Sequence, residues 1–464
     1  MTRVAIVHEW FASYAGSERV VEQLLKLYPD ADLFALVDFL PKGERGFLGG
    51  RPVRTSFIQS LPFARRKFRA FLPLMPLAIE QFDLSAYDLI ISSNHAVAKG
   101  IIRAPGKLHI SYIHTPIRYA WDMQHQYLRE ARLERGTRSW LARAMLHYVR
   151  NWDLVAANRV DVMVANSQFV AHRIWSTYRR QAIVVYPPVD ADAFPLREEK
   201  DDFYLAASRL VPYKRMDLIV EAFARMPGRR LVVIGDGPEM ERVRAKASPN
   251  VRILGYQPFH VLRDHMQRAK AFVFAAEEDF GIIPVEAMAC GTPVIAFGKG
   301  GVLETVRDGE TGLFFHVQDP EHLIEAVARF EAAARVFDPA RIREQALKFS
   351  AERFRTEMSG FVRTQVRGYE NRNRLPGPTS MPAPMLDSLL RWREQTGSLG
   401  NSVRHEVDTR PIHDGAPPLD NIHPAPESPP SPLGRMLQRR VEKLEAGMVQ
   451  RVATPAPLDD SVNG

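Results

Sequence analysis

A chain of 464 residues exceeds what one hydrophobic core usually organises and suggests two or three domains. Its 45% apolar and 25% charged content is ordinary for a globular protein, and a net charge of +8 suits nucleic acid, an anionic membrane surface or a phosphorylated substrate without choosing among them. A single cysteine, Cys290, excludes an internal disulfide framework and a cysteine-rich zinc site; with no apolar leader and no run of about eighteen apolar residues, a cytoplasmic protein without a spanning helix is expected.

In chain order, residues 3–8 (RVAIVH) read as a buried strand, followed by a turn and a helix over 14–27 with Val20, Val21, Leu24 and Leu25 on its apolar face. Gly16 lies at that strand-to-helix junction. Residues 51–80 differ in character, because Arg65, Arg66, Lys67 and Arg69 alternate with Phe63, Phe68, Phe71 and Leu72. Such a segment fits an amphipathic helix lying on an anionic bilayer, and equally a solvated helix whose aromatic face joins the core. Strands over 85–95 and 108–114 each deliver a histidine to the same sheet edge. His95 is expected to be structural, and His114, followed by Thr115 and Pro116, is the better placed of the two. A basic helix over 138–157 and a strand over 160–166 follow, and 184–194 forms the last strand of this half and a linker stiffened by Pro187 and Pro188. Asp190 and Asp192 spell a DxD pattern in that linker, but neighbouring carboxylates alone do not make a magnesium site, so no metal is expected.

The second half begins again with a strand, 203–207, whose end carries Arg209 and Lys214 ahead of a helix over 216–226. The strand over 231–234 leads into Gly235-Asp236-Gly237, but Met240 stands where a dinucleotide fingerprint needs glycine, which removes a nicotinamide cofactor. The strand over 251–254 ends at Gly255, Tyr256 and Gln257. Then comes KAFVFAAEEDFGIIPVEAMACGTPVI, in which the strand over 271–276 runs into Glu277, Glu278 and Asp279. Gly281 permits a tight turn, Pro284 suits a first helical residue, Glu286 falls in the first helical turn where the dipole alone would favour it, and Gly291 ends the helix. Cys290, among small residues of that helix, is expected to be buried packing. Further strand-and-turn units over 294–312 and helices over 320–335 and 340–369 complete the folded part. Strands alternating with helices throughout predict an α/β protein of two doubly wound parallel sheets facing across a cleft, an N-terminal domain over 1–195 and a C-terminal domain over 196–370. Beyond residue 375 the chain holds 14 of its 34 prolines, so 371–464 is expected to be a largely disordered tail with helix-like islands at 385–394 and 433–452.

Glu278 and Glu286, separated by seven residues, together with Arg209 and Lys214, separated by four, resemble the signatures of the retaining nucleotide-sugar glycosyltransferases of family four, which have the two-domain GT-B architecture. The longer segments SSNHAVAKG and HTPIRYAWD resemble the subgroup of mannosyltransferases that assemble exopolysaccharide or O-antigen. That resemblance covers residues 1 to about 370. It implies metal-independent hexosyl transfer from a nucleotide sugar, GDP-mannose favoured, to a lipid-linked or polysaccharide-precursor acceptor, with no nucleic-acid partner and a peripheral place on the inner membrane face. Arg209 and Lys214 would meet the leaving diphosphate, as its developing charge requires. Glu278 and the backbone of Phe280, Gly281 and Ile282 would hold the hexose, Glu286 the ribose hydroxyls, Tyr256 the base through backbone atoms, Gly16 the diphosphate and His114 the donor sugar. Arg118, Tyr119, Trp121 and Asp122 would face the acceptor. Two other classes stay open at this point: a glycoside hydrolase using Glu278 and Glu286 as acid and base, and a non-catalytic nucleotide-sugar-binding assembly protein.

Overall fold

The computed structural model describes residues 2–333 and 337–373, which form two lobes, each a parallel sheet covered by helices. The N-lobe contains β1 (Val4–His8), α1 (Gly16–Leu27), β2 (Asp32–Ala35), β3 (Val53–Thr55), α2 (Ala64–Lys67), α3 (Met75–Glu80), β4 (Leu89–Asn94), β5 (Leu108–Ile113), α4 (Gln124–Glu130), α5 (Thr137–Asn158), β6 (Val162–Ala165), α6 (Gln168–Tyr178) and β7 (Ala182–Val184). Its strands lie in the order β3-β2-β1-β4-β5-β6-β7, all parallel, with Ile6 opposite Leu33 on one side and Ile91 on the other. Every residue of β1, β4 and β5 is buried, as expected of central strands packed on both faces.

The C-lobe contains β8 (Tyr204–Ala207), α7 (Met216–Ala224), β9 (Leu231–Ile234), α8 (Met240–Ala245), β10 (Val251–Gly255), α9 (Phe259–Arg268), β11 (Ala271–Phe274), α10 (Ile282–Ala289), β12 (Val294–Phe297), α11 (Val302–Thr305), β13 (Gly312–Phe315), α12 (Pro320–Ala332), α13 (Pro339–Leu347) and α14 (Ala351–Asn373). Its sheet runs β10-β9-β8-β11-β12-β13, again all parallel. Cys290 is buried at the end of α10, where burial pushes its thiol up to about 12.

The structure departs from the sequence-based expectation in two places. The single helix expected over 340–369 is two, because the chain leaves the helix at 348–350 to pair with the interdomain linker: Val189 N–H donates to Phe349 O at 2.9 Å. After that break α14 returns to the N-lobe, where Phe354, Met358 and Val362 join the core of Val4, Leu24 and Leu108. The segment 51–80 is not one amphipathic helix but β3 and a chain of short turns and helices. Phe68 is buried there, whereas Phe63 is 77% exposed beside exposed Arg65, Arg66 and Lys67. Apart from the last turn of α14, the tail expected over 371–464 and its helix-like islands lie outside the described residues.

Candidate functional site

In each sheet the strand order reverses once, between β1 and β4 in the N-lobe and between β8 and β11 in the C-lobe. Loops leaving the carboxyl ends of such a strand pair diverge and leave a crevice, which is where ligands of open α/β sheets bind. The residues singled out above fall largely on these loops.

In the C-lobe, the loop after β8 carries Arg209 and a single 3-10 turn, Pro212–Lys214, and the loop after β11 carries Glu277, Glu278 and Asp279. The Lys214 ammonium touches the Glu278 carboxylate, and the two side chains are only 14% and 17% exposed. Burial pulls the Lys214 ammonium down to about 7, helped by the guanidiniums of Arg209 and Arg118, and the Asp279 carboxylate opposes that pull. Arg209 is exposed and its side chain has no hydrogen bond or ion pair among the described residues, yet it lies near enough to Lys214 and to Arg69 to disfavour the charge on both.

The loop bearing Glu278 is clamped from the next strand. Gly301 N–H donates to Glu278 O at 2.8 Å, and a Cβ on Gly301 would lie 2.4 Å from Asp279 O and 2.5 Å from Phe280 Cα, so only glycine fits. Gly281 then turns the chain with φ of 83° and caps α10. The helix starts at Ile282, two residues earlier than expected, because Gly281 rather than Pro284 sets its first turn; Pro284 is its third residue. Glu286 therefore lies in the second turn and is no cap. It is 3% exposed, and its Oε1 accepts from Arg19 Nη1 at 2.5 Å.

The N-lobe contributes the opposite wall. Gly16 opens α1 so close to α10 that a Cβ there would be 2.9 Å from Ile282 Cδ1. His114, at the end of β5, is held by Ser93 Oγ at 2.9 Å, and its carbonyl accepts from Asn166 Nδ2 at 3.0 Å. Burial, together with His95 and His8, pulls its imidazole down to about 3, so His114 is a neutral hydrogen-bonding group and never a cation at working pH. The loop after β4 is fixed by Glu9, a fully buried carboxylate that accepts backbone N–H groups from His95, Ala96, Val97 and Ala98 at 2.7 to 3.1 Å. His95 stacks edge-on to Trp10 at 4.6 Å, and Arg69 lies over the same Trp10 at 5.7 Å. One member of the basic segment thus belongs to the cleft, where burial and then Arg209 lower the Arg69 pKa.

The lobes are tied across the cleft at the same loops. Asp279 of the C-lobe pairs with Arg118 and with Arg173 Nη1 (2.7 Å), and its carbonyl accepts from Ser167 Oγ at 2.5 Å. Glu304 of α11 accepts the first two N–H groups of α6, from Gln168 at 2.7 Å and Phe169 at 2.9 Å. Arg19 to Glu286 is a third tie.

Of the residues chosen from sequence, Arg209, Lys214, Glu278, Gly281, Ile282 and Glu286 lie on C-lobe loops and α10, facing Gly16 and His114 of the N-lobe. The Phe280 ring turns away into the core, 5.5 Å from Phe349 and 5.8 Å from Tyr186, so only its backbone can face a ligand. Tyr256 stands at the end of the edge strand β10 with its side chain 77% exposed. Arg19, Arg69, Arg173, Asp279 and Glu9 were not assigned from sequence, because their roles arise from partners 51 to 267 positions away, beyond any local spacing rule. Among the described residues, no group of three His, Cys, Asp or Glu is placed to hold a metal ion, and Asp190 instead caps the turn at 191–193 by accepting Ala193 N–H at 3.3 Å.

Comparison with known proteins follows this division of the chain. The profile described as "Glycosyltransferase Family 4" matches residues 14–193, and that described as "Glycosyl transferases group 1" matches 188–349. The D-inositol 3-phosphate glycosyltransferase of Geodermatophilus obscurus is 32% identical over 226 residues, covering 42% of this chain and 50% of that protein. The GDP-mannose-dependent alpha-(1-6)-phosphatidylinositol monomannoside mannosyltransferase of Mycolicibacterium smegmatis is 30% identical over 201 residues, 37% of this chain and 53% of the relative. The chain spans about half the length of the curated relatives it matches. Among solved structures, the sucrose-phosphate synthase of Thermosynechococcus elongatus superposes with a TM-score of 0.61 at 19% identity, over 79% of this chain and all of that one. HepE of Anabaena, in complex with UDP and glucose, superposes at 0.57 and 17% over 78% of this chain and 99% of its own. Residues 14–193 thus resemble a family 4 glycosyltransferase domain and residues 188–349 a group 1 glycosyl transferase domain, arranged in the GT-B fold.

Proposed function

We propose that this chain is a hexosyltransferase that moves a sugar, mannose favoured, from a nucleoside diphosphate sugar to a lipid-linked or polysaccharide-precursor acceptor, with retention of configuration and without a metal ion. The observation that carries the reading is the cation pair Arg209 and Lys214 at the switch point of the C-lobe sheet, beside Glu278 and across the cleft from Gly16. A departing diphosphate needs fixed positive charge where its own charge develops, and these two side chains supply it. Glu278 and the backbone at 280–282 serve the hexose, Glu286 offers the carboxylate oxygen that Arg19 leaves free to the ribose, and neutral His114 holds a sugar hydroxyl. No carboxylate is assigned as a nucleophile on the far face of the sugar, and front-face departure and attack within one ion pair is the accompanying mechanism.

The hydrolase reading is disfavoured by the same geometry, because Glu278 and Glu286 are each ion-paired to a cation. Mannose and GDP are supported by the smegmatis relative's name, and UDP by the Anabaena complex, so the donor base is set by experiment. Contact with the inner membrane face is supported by exposed Phe63 beside Arg65, Arg66 and Lys67, and no described helix is long and apolar enough to cross a bilayer. The test is thermal-shift screening against nucleotide sugars, where a donor at one hundred times its dissociation constant stabilises by about 2.7 kcal/mol. Transfer from the best donor, read by product anomer with and without EDTA, completes it. An inverted product, or activity lost to EDTA, refutes the mechanism; no binding by any nucleotide sugar refutes the function.

A further inference from the structure

Beside the turn bearing Lys214 and the loop bearing Glu278 lies a cavity of about 520 Å³ bounded by both lobes. The N-lobe supplies the loop after β5, α4 and the start of α6; the C-lobe supplies the turn after β8, Glu277 and Gln318. None of Arg209, Glu286, Gly16 or Tyr256 lines it, yet Tyr213, Arg215 and Glu277 are the chain neighbours of Lys214 and Glu278, so it opens onto the reacting end of the donor site. Its volume is within the ordinary range for a small-molecule subsite.

The charge of its walls is unbalanced. Arg118, Arg129, Arg173 and Arg215 line it against two carboxylates, and both carboxylates are already engaged: Asp122 accepts two bonds from Arg173 at 2.7 and 2.8 Å, and Glu277 pairs with Lys299 at 3.1 Å. Arg129 of α4 has no side-chain hydrogen bond or ion pair among the described residues. Arg215 is held by a neutral group, donating to Gln318 Oε1 at 2.7 Å, while Gln318 in turn donates to Ala275 O at 2.7 Å at the end of β11. Its backbone has φ of 54°, a left-handed conformation uncommon for a long side chain, and its nearest carboxylate oxygen is 3.8 Å away on Asp217. Arg118 spends one end on Asp279, but its Nε–H is buried with no partner. A buried donor left unmade calls for an acceptor, and a wall of four arginines in which Arg129 has no carboxylate partner among the described residues and Arg215 only a distant one calls for an anion.

We infer that this cavity is the acceptor subsite and that it selects an acceptor bearing a phosphate or diphosphate group, gripped between Arg129 of the N-lobe and Arg215 of the C-lobe with Arg118 Nε–H beneath. The assignment rests on the transferase reading for the word acceptor, and on the cavity alone for the phosphate. Because the grip uses both lobes, the acceptor anion favours the closed cleft in which the donor reacts.

The test uses the full chain and two probes. Inorganic pyrophosphate is titrated calorimetrically into a Lys214→Ala variant, which disables the donor-phosphate position, and into the same variant carrying Arg129→Gln and Arg215→Asn, the latter because asparagine tolerates φ near 54°. The affinity is expected to fall by about 10-fold or more; equal affinity overturns the phosphate site. Then, with Lys214 intact, transfer to a polyprenyl-diphosphate-linked sugar is compared with transfer to the same sugar as a neutral alkyl glycoside. The diphosphate acceptor is expected to show the lower KM, and Arg129→Gln with Arg215→Asn to erase that advantage while leaving the neutral acceptor's KM and the donor-induced thermal shift unchanged. Equal KM values in the native chain overturn the acceptor assignment and leave a site for a free anion. Failure of any nucleotide sugar to bind sinks the transferase reading, and the pyrophosphate titration still reads the cavity.

Discussion

Asp279→Asn is expected to open the cleft without unfolding either lobe. The Asp279 side chain is 16% exposed and faces Arg118 and Arg173, which are 16% and 13% exposed and belong to the other lobe. A hydrogen bond to a charged group contributes roughly 1.5 to 3 kcal/mol, and an amide keeps one acceptor oxygen while losing the charge. Allowing for partial exposure, the closed form should lose about 2 to 4 kcal/mol relative to the open one, a shift of roughly 30- to 700-fold in their ratio. Arg173 keeps its paired bonds to Asp122, whereas Arg118 is left with a second unpaired end, so Arg118 carries most of the penalty. Small-angle scattering of the unliganded protein should report a larger radius of gyration for the variant, and the KM for donor should rise. The melting temperature should move little, because no bond within a lobe is lost through this side chain. An unchanged scattering profile and an unchanged KM would refute the claim that these ion pairs hold the lobes together.

Three further outcomes are expected. Donor affinity should fall as pH rises through about 7, where the Lys214 ammonium loses its proton, and Lys214→Arg, charged at every pH tested, should flatten that profile. The sign for stability is the reverse: a lysine whose folded pKa is depressed to about 7 binds fewer protons than the unfolded chain above that pH, so its penalty is full below about 7 and is relieved towards 10.5, which urea melts of native and Lys214→Met protein would resolve. Gly301→Ala should disturb the Glu278 loop, since the new Cβ would meet Asp279 O at 2.4 Å; turnover is expected to drop well beyond any loss of melting temperature, and native turnover would remove the clamp from the account. Glu9→Gln should remove the oxygen that receives Val97 N–H and set an amide donor against it, at about 2 to 4 kcal/mol and a fall of roughly 5 to 15 °C in the N-lobe transition seen by calorimetry.

What the sequence could show was whatever depends on local order. Buried parallel strands such as 231–234 are short apolar runs between turn residues, and Arg209, Lys214, Glu278 and Glu286 sit at fixed offsets from strand ends, so a spacing rule reaches them. The strands at 32–35 and 53–55 escaped because the first opens on Asp32 and has no β-branched residue, and the second is three residues and half-exposed at a sheet edge. The break at 348–350 was hidden because its cause is a hydrogen bond to Val189, and a continuous helical pattern runs on both sides of it. Arg69 was read as part of a surface patch because sequence gives the spacing of a basic run but not which single member lies over Trp10.

The ties across the cleft explain why the site's carboxylates could be found from sequence while their state could not. Glu286, Glu278 and Asp279 each hold a cation in the unliganded chain, and two of those three partnerships cross between lobes. A buried carboxylate needs such a partner, since the alternative is an uncompensated charge in low dielectric. On the proposed function, a diphosphate entering the cleft would bring two or more negative charges to cations already committed and would bind by exchange, with Lys214 shared between Glu278 and the phosphate. Arg19 would keep one oxygen of Glu286 while the other turned to the ligand. Exchange of this kind costs less than stripping water from bare ions, and it couples donor binding to the position of α1 against α10 through one side chain. It follows that Arg19→Ala should weaken donor binding although Arg19 need not touch the donor at all, and that Arg19→Lys, which restores the charge but not the planar fork, should recover only part of it.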